Sequence, residues 1–372
     1  MLYHLMHKND VVVTINISTE NEKISIHDIV NYNLLPFGTK HLEKNELIDG
    51  ILFWNENRCI PTNRPNFQNL MAEIGIHNYA DLIPHSHLCS LTDCYWFKHY
   101  EDTCQWADVN FHQNNFSSKL DKYLFFDSND ISLNDLDTPD ITTNGALSKT
   151  WEKQGEHFVL IKGNQSQYPI EACYERIASE ILSQLQIPHV DYDIIHTQHG
   201  YQSACSCFII DDSEEFVSME DFLLDFNISA PEGIAQLLQG PYRESFEHMF
   251  LCDIIIGNTD RHARNYGFII DSNTQEFKCL APLFDHGICA LTVNHGPARY
   301  KPLGISFNES VKFLSDETLS LSNNLDFKRI ADLVFSLPID DGFKNKVVEQ
   351  LESRIGKLQE LARKKDIEID RE

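Results

Sequence analysis

Apolar residues along this chain fall into short blocks whose spacing distinguishes strands from helices. Val11-Val12-Val13-Thr14-Ile15-Asn16-Ile17 predicts a strand. Leu52-Phe53-Trp54, followed by Arg58, Ile60-Pro61 and Arg64, predicts a helix running into a loop stopped by proline. Further on, Leu147–Trp151 and His157–Lys162 flank Glu152-Lys153-Gln154-Gly155 in the pattern of a β-hairpin. Tyr174, Ile177, Ala178, Ile181, Leu182 and Leu185 then recur at three- and four-residue steps, which predicts a helix closed by Pro188 with Glu171 and Glu175 on other parts of its surface.

Two strand-like runs, Val190–His196 and Ala204–Ile210, precede an acidic turn at Asp211-Asp212-Ser213-Glu214-Glu215, after which the pattern becomes helical. Residues 244–256 form an apolar helix with Gly257 as a natural cap. Tyr266–Ile270 and Glu276–Leu280 flank Asp271-Ser272-Asn273-Thr274 as a second hairpin. At the C-terminus Val347, Val348, Leu351, Ile355, Leu358 and Leu361 make one stripe of a long helix, expected to pack onto its own chain rather than onto a coiled-coil partner.

The stretch from Phe126 to Asn144 is dominated by Asp, Asn, Ser and Thr, so it is expected to bury little and to link two units, with a boundary near residue 136. A second boundary is expected near residue 212. The organisation is then an N-terminal α/β extension over 1–135, a small lobe over 136–212 and a larger helical lobe over 213–372.

Composition narrows the function. With 372 residues and 42% apolar content, the chain can build real cores. Residues 1–30 lack the pattern of a signal peptide, and no apolar run approaches the roughly 18 residues that span a bilayer, so a cytoplasmic location is expected. Ten cysteines in a chain this long, without an export signal, read as reduced thiols. The net charge of −26 opposes direct nucleic-acid binding, which depends on neutralising phosphates, and opposes an anionic membrane surface. His85, His87, Cys89, Cys94, His99 and Cys104 supply zinc-type donors, but without paired spacing; Cys205-x-Cys207 reads as strand packing.

The densest chemical signal is Gly257-Asn258-Thr259-Asp260-Arg261-His262-Ala263-Arg264-Asn265, followed by Ala281-Pro282-Leu283-Phe284-Asp285-His286-Gly287. Phosphoryl transfer needs a carboxylate to orient the attacking hydroxyl and take its proton, and oxygen ligands for the magnesium that clamps a triphosphate. Asp260 and Asn265 have the Asp-x-x-x-x-Asn spacing of a kinase catalytic loop. The hairpin between Asn265 and Asp285 would return the chain so that Asp285 supplies the second metal carboxylate. His262 could either contact nucleotide or brace the loop.

These motifs resemble the HipA-like Ser/Thr protein kinases, bacterial toxins of toxin–antitoxin systems and their relatives. The likeness covers roughly residues 136–310 and extends upstream: Thr143-Asn144-Gly145-Ala146-Leu147-Ser148-Lys149-Thr150-Trp151 is similar to that family's nucleotide-covering loop, and Phe158-Val159-Leu160-Ile161-Lys162-Gly163 to the strand with its phosphate-binding lysine. Glu175 matches the helix glutamate that would hold Lys162, with Glu171 the competing choice. Ser90–Trp96 and Trp106–Phe111 look like an N-terminal extension that accompanies some members. The loop holds one glycine, Gly145, rather than the several of a Gly-x-Gly-x-x-Gly loop.

The resemblance implies an α+β, bilobal, protein-kinase-like fold with a small β-rich lobe, a larger mainly helical lobe and the N-terminal extension. It implies ATP and Mg²⁺ as cofactors, Asp260 as catalytic residue, and Asn265 with Asp285 as metal ligands. Gly145, Ala146, Leu147, Ser148, Lys162, Glu175 and His262 would form the nucleotide site. Self-phosphorylation at Ser148, with Thr142 or Thr143 as weaker candidates, would repel nucleotide phosphates. Implied partners are a protein substrate, such as an aminoacyl-tRNA synthetase or another translation component, and a small DNA-binding antitoxin. Two other readings are a lipid kinase, since phosphoinositide kinases share Asp-Arg-His-x-x-Asn, and a pseudokinase that acts as a nucleotide-dependent binding module.

Overall fold

Val12, Val13 and Ile15 are fully buried because their strand is flanked on both edges. Strand β2 (Asp10–Ser18) pairs antiparallel with β1 (Leu2–His7) and with β3 (Lys23–Ile29), and β4 (Tyr95–His99) adds beyond β1 to give the order β3-β2-β1-β4. The helix Leu47–Arg58 contributes Leu47, Ile51 and Trp54 to the core against this sheet. Burying these apolar faces drives the packing, at about 25 cal/mol per Å² removed from water.

The computed structural model describes residues 1–18, 23–64, 67–117, 119–120, 132–165, 168–197, 200–289, 291 and 311–369. The chain forms two compact units that interleave in sequence. The first contains Met1–Gly163, Cys207–Asn227 and Phe268–Lys278; the second contains Asn164–Ser206, Ile228–Gly267 and Cys279–Glu372. The segment ends do not coincide with residues 136 and 212.

In the first unit the hairpin β5 (Lys149–Gln154) and β6 (His157–Lys162) turns through Gly155 at φ 68°, with Lys149 paired to Lys162. Trp151 and Phe158 from this hairpin share a core with Met6, Trp96 and Trp106. The unit also carries β9 (Glu214–Ser218), most of β10 (Gly267–Asp271) and the start of β11 (Phe277–Leu280), in the order β11-β10-β9. In the second unit the helix Ile170–Leu185 packs on the hairpin of β7 (Tyr192–Thr197) and β8 (Gly200–Ser206). The helices Arg243–Ile256, Asp316–Ser320, Phe327–Ser336 and Asp341–Ile369 complete it. The chain is α+β, rich in sheet toward its N-terminus and helical toward its C-terminus.

Four expectations need correction. The polar stretch is not a solvated linker over residues 132–144, and its residues 126–131 lie outside the described residues: Leu136 and Ile141 are fully buried in the N-terminal core. Its polar residues serve as acceptors, since Asp140 takes the backbone N–H of Trp151 at 2.8 Å and the Thr150 hydroxyl at 3.3 Å. The acidic run is not only a turn, because Glu215 lies inside β9. Burial raises its carboxyl, but hydrogen bonds from His7 (3.0 Å), the Cys94 N–H (2.7 Å) and Gln275 (2.8 Å) outweigh that and hold it below the usual range. Strand β8 begins at Gly200 rather than at Ala204, disguised by the buried polar pair Gln202 and Ser203. Glu175 is 1% exposed rather than on the surface, for a reason that belongs to the site.

The C-terminal stripe buries Val347, Leu351, Ile355 and Leu358, but the next inward position is Ala362, and Leu361 is exposed. All ten cysteines are unbridged. The zinc-type donors of residues 85–104 do not converge: among the described residues, only Cys94 of that set enters a compact donor group, with His7 and Glu215. No described helix is long and apolar enough to cross a membrane.

Candidate active site

The catalytic-loop motif follows directly from the helix Arg243–Ile256. Phe246, Met249, Phe250, Leu251, Cys252 and Ile254–Ile256 bury nearly the whole circumference of its second half, and the helix stops where Gly257 turns left-handed at φ 63°. Glycine suits this left-handed turn, and a Cβ there would displace the Arg354 guanidinium.

Asp253 stands inside this apolar segment, and its partner explains it. Arg261, with 0% exposure, binds it through two hydrogen bonds of 3.0 Å, from Nε and Nη2. Such a fork-to-carboxylate pair fixes geometry as well as charge. The remaining nitrogen, Nη1, donates to the carbonyl of Asn265 at 2.7 Å and to that of Phe284 at 2.8 Å. One buried guanidinium thus ties the end of the Asp260–Asn265 loop to the residue just before Asp285. Asn258 reinforces the arrangement by donating to Asp253 at 3.0 Å while its side-chain oxygen accepts the Asp260 N–H at 2.8 Å.

Asn265 donates its Nδ2 to the carbonyl of Asp260 at 3.0 Å, so Oδ1 is the end of the amide that could accept a cation. The Asp285 segment is held independently. Leu283 exchanges backbone bonds with Pro188 and Val190 at 3.0 and 2.9 Å, and the Asp285 N–H donates to the Tyr192 hydroxyl at 3.2 Å. Asp285 itself adopts φ 60°, a left-handed conformation that Asp tolerates better than most residues, and backbone outliers of this kind gather at functional sites. Two residues on, a Cβ added to Gly287 would sit 3.7 Å from Glu175 Oε1 and 3.4 Å from the Glu171 Cβ. Glu175 therefore lies beside the Asp285–Gly287 segment, and its other oxygen accepts a short hydrogen bond from Ser203 on β8. That explains its burial.

The first unit carries the other group of expected site residues. Lys162, the last residue of β6, is 3% exposed, and the adjoining Gly163 N–H donates to the Ser148 carbonyl at 2.8 Å. The loop before β5 turns through Gly145 at φ 110°, where a Cβ would overlap the Lys149 ammonium. Lys149 donates to the Asn144 carbonyl at 2.9 Å. Arg64 donates to the carbonyls of Gly145, at 2.9 Å, and Thr143. The hydroxyls of Thr142 and Thr143 donate to the carbonyls of Cys89 and Pro139, both at 2.6 Å. Ala146 is exposed, and Leu147 and Ser148 are half-buried.

The second unit thus gathers Asp260, Asn265, Asp285 and Glu175, and the first gathers Gly145, Ala146, Leu147, Ser148 and Lys162. His262 is exposed, with its Nδ1 accepting the Arg264 N–H at 3.3 Å. Asp253, Arg261, Tyr192, Arg64 and Lys149 were not singled out by motif. For Asp253 a signal existed: an aspartate within an apolar helical run requires a buried partner.

No protein-family model matches the chain. The chain is 48% identical over 44 residues to the serine/threonine-protein kinase CtkA of Helicobacter pylori, a match that spans 12% of this chain and 13% of that kinase. The crystal structure of the H. pylori proinflammatory kinase CtkA aligns with 60% of this chain and 95% of its own at 18% identity and a TM-score of 0.45. The HipA structure of Shewanella oneidensis, solved as a toxin–antitoxin complex of HipA, HipB and operator DNA, aligns with 97% of this chain and 99% of its own at 12% identity and a TM-score of 0.58. The chain has the HipA kinase fold along nearly its whole length.

Proposed function

We propose that this chain is an ATP- and Mg²⁺-dependent protein Ser/Thr kinase of the HipA-like kind. The observation that carries the reading is the Arg261 guanidinium. It fastens the Asp260–Asn265 loop to the Phe284-Asp285 segment, giving the catalytic carboxylate and two oxygen donors a common buried anchor.

The donor set suits a hard divalent cation. Magnesium takes oxygen ligands and retains waters and phosphate oxygens, so the Asn265 amide oxygen and the Asp285 carboxylate are sufficient protein ligands when nucleotide is present. Bound there, the ion would neutralise charge on the transferring phosphoryl group. Asp260 orients the substrate hydroxyl and takes its proton. Lys162 binds phosphate, and the Gly145–Ser148 loop covers it. Glu175 and His262 take the nucleotide-site roles that the family resemblance gives them.

Ser148 is the proposed site of self-phosphorylation. Protein substrates, with aminoacyl-tRNA synthetases as the first class to test, and a small DNA-binding antitoxin complete the proposal. HipB in the S. oneidensis complex motivates the last of these. A partner of that kind would have to supply the DNA contact, given the net charge of −26.

Labelled ATP with magnesium tests the reading on the wild type beside Asp260→Ala and Asp285→Ala. Label on protein with the wild type alone is the expected result, and the phosphopeptide is expected to contain Ser148. Label appearing on lipid, or ATP binding without any transfer, would replace it with one of the two alternative readings.

A further inference from the structure

We propose that Arg64, in the N-terminal region, is a positioning residue for the polyphosphate of a nucleoside triphosphate: it turns the carbonyls of the 143–145 loop inward, so that the loop's N–H groups face the ligand. The proposal rests on the kinase reading above and assigns the N-terminal region a part in the reaction.

Three successive carbonyls are engaged by two cationic side chains. Thr143 and Gly145 accept from Arg64, and Asn144 accepts from Lys149. In a planar trans peptide the N–H points opposite to the C=O, so the N–H groups of Asn144, Gly145 and Ala146 are directed away from these cations. The Gly145 N–H itself donates to the Asn144 side-chain oxygen at 2.5 Å, so an anion would draw on the N–H groups of Asn144 and Ala146. Successive N–H groups presented on one side of a turn make an anion-binding concavity. Glycine at 145 is needed for φ 110°, and a Cβ there would push the Lys149 ammonium off its place beside the loop.

Arg64 is poorly explained as a stability device. It is 2% exposed, burial pulls its guanidinium down to about 10, and its Nη1 has no hydrogen-bond partner among the described residues. An unsatisfied buried donor on a desolvated cation is destabilising. Its two used donors both go to the loop. The side chain is fixed from its own end by a turn in which the Arg64 N–H donates to the Pro61 carbonyl at 2.9 Å, just after the helix Leu47–Arg58.

Calorimetric binding of Mg-ATP and of adenosine to the full chain tests the proposal, alongside steady-state kinetics. Arg64→Met is expected to weaken ATP binding about tenfold, comparable to the loss of one charge-assisted hydrogen bond. It should raise KM for ATP with little change in kcat and leave adenosine binding unchanged. Arg64→Lys, which keeps the charge but loses the fork, should fall between. If Arg64→Met does not fold, Lys149→Met is expected to give the same separation of ATP from adenosine.

A folded Arg64→Met that binds ATP as the wild type does, or that loses adenosine in step with ATP, overturns the role of Arg64 while leaving the kinase reading intact. A wild-type chain that binds neither ligand overturns the kinase reading first.

Discussion

Two arginines, each almost completely withdrawn from water, brace the two loops that the proposed chemistry would use, and they do so in opposite ways. Arg261 meets Asp253 as a bidentate pair and directs its remaining nitrogen to two carbonyls. Arg64 directs two nitrogens to the carbonyls of Thr143 and Gly145 and leaves the third without a hydrogen bond among the described residues. The first arrangement compensates a buried charge and yields a rigid loop. The second retains a buried cation whose desolvation the Asp140 charge only partly offsets, the pattern expected if the proposed role toward a ligand is what keeps it.

The contrast predicts unequal responses to substitution. Asp253→Ala leaves Arg261 charged and unpaired in the interior, and should destabilise the chain by about 3–5 kcal/mol in urea melts. It should abolish transfer as well, because the 258–265 loop loses its anchor. Arg64→Met removes a cation that was never fully satisfied, so its effect on stability should be no more than about 1–2 kcal/mol in either direction. Equal losses for the two variants would break the comparison.

A smaller change sharpens it on the helical side. Tyr192→Phe deletes the hydroxyl that accepts the Asp285 N–H and should cost about 0.5–1.5 kcal/mol, with transfer lowered more than nucleotide affinity.

Acid titration isolates a single buried carboxylate. Burial raises the Glu247 carboxyl, but donation from Ser315, Arg243 and Thr318 overrides it and brings it from 4.5 to about 2. A carboxyl depressed in the folded state stabilises above its unfolded value, and that stabilisation fades as pH falls through the folded one. The stability of the wild type should therefore decline between about pH 4.5 and pH 2, and Glu247→Gln should flatten that part of the profile.

Much of this was legible beforehand, where local spacing determines structure. The helix Arg243–Ile256 with its Gly257 cap, the hairpin after Asn265, and the Asp260–Asn265 interval depend on neighbours in sequence. What stayed hidden depends on distant partners. Glu175 lies off the apolar stripe, so periodicity alone gave no reason for its burial, whereas Ser203 and the Gly287 segment enclose it. Residues 136–142 looked like a linker because Asp and Thr usually face water, whereas here they satisfy β5 and the Cys89 carbonyl. Arg64 gave no signal at all, since the loop it holds begins 79 residues later.

The hairpin that joins Asn265 to Asp285 has its tip in the first unit and its ends in the second. At that tip Asn273 accepts from Lys8, Gln275 donates to Glu215, and the Ser272 N–H donates to the Ser213 carbonyl. A chain trimmed to begin at residue 136 would strip Lys8 from this tip and His7 and Cys94 from Glu215, loosening the stretch that separates Asn265 from Asp285. Residues 1–135 are thus unsuited to removal as a detachable module, and shuffling them between relatives should carry the hairpin along.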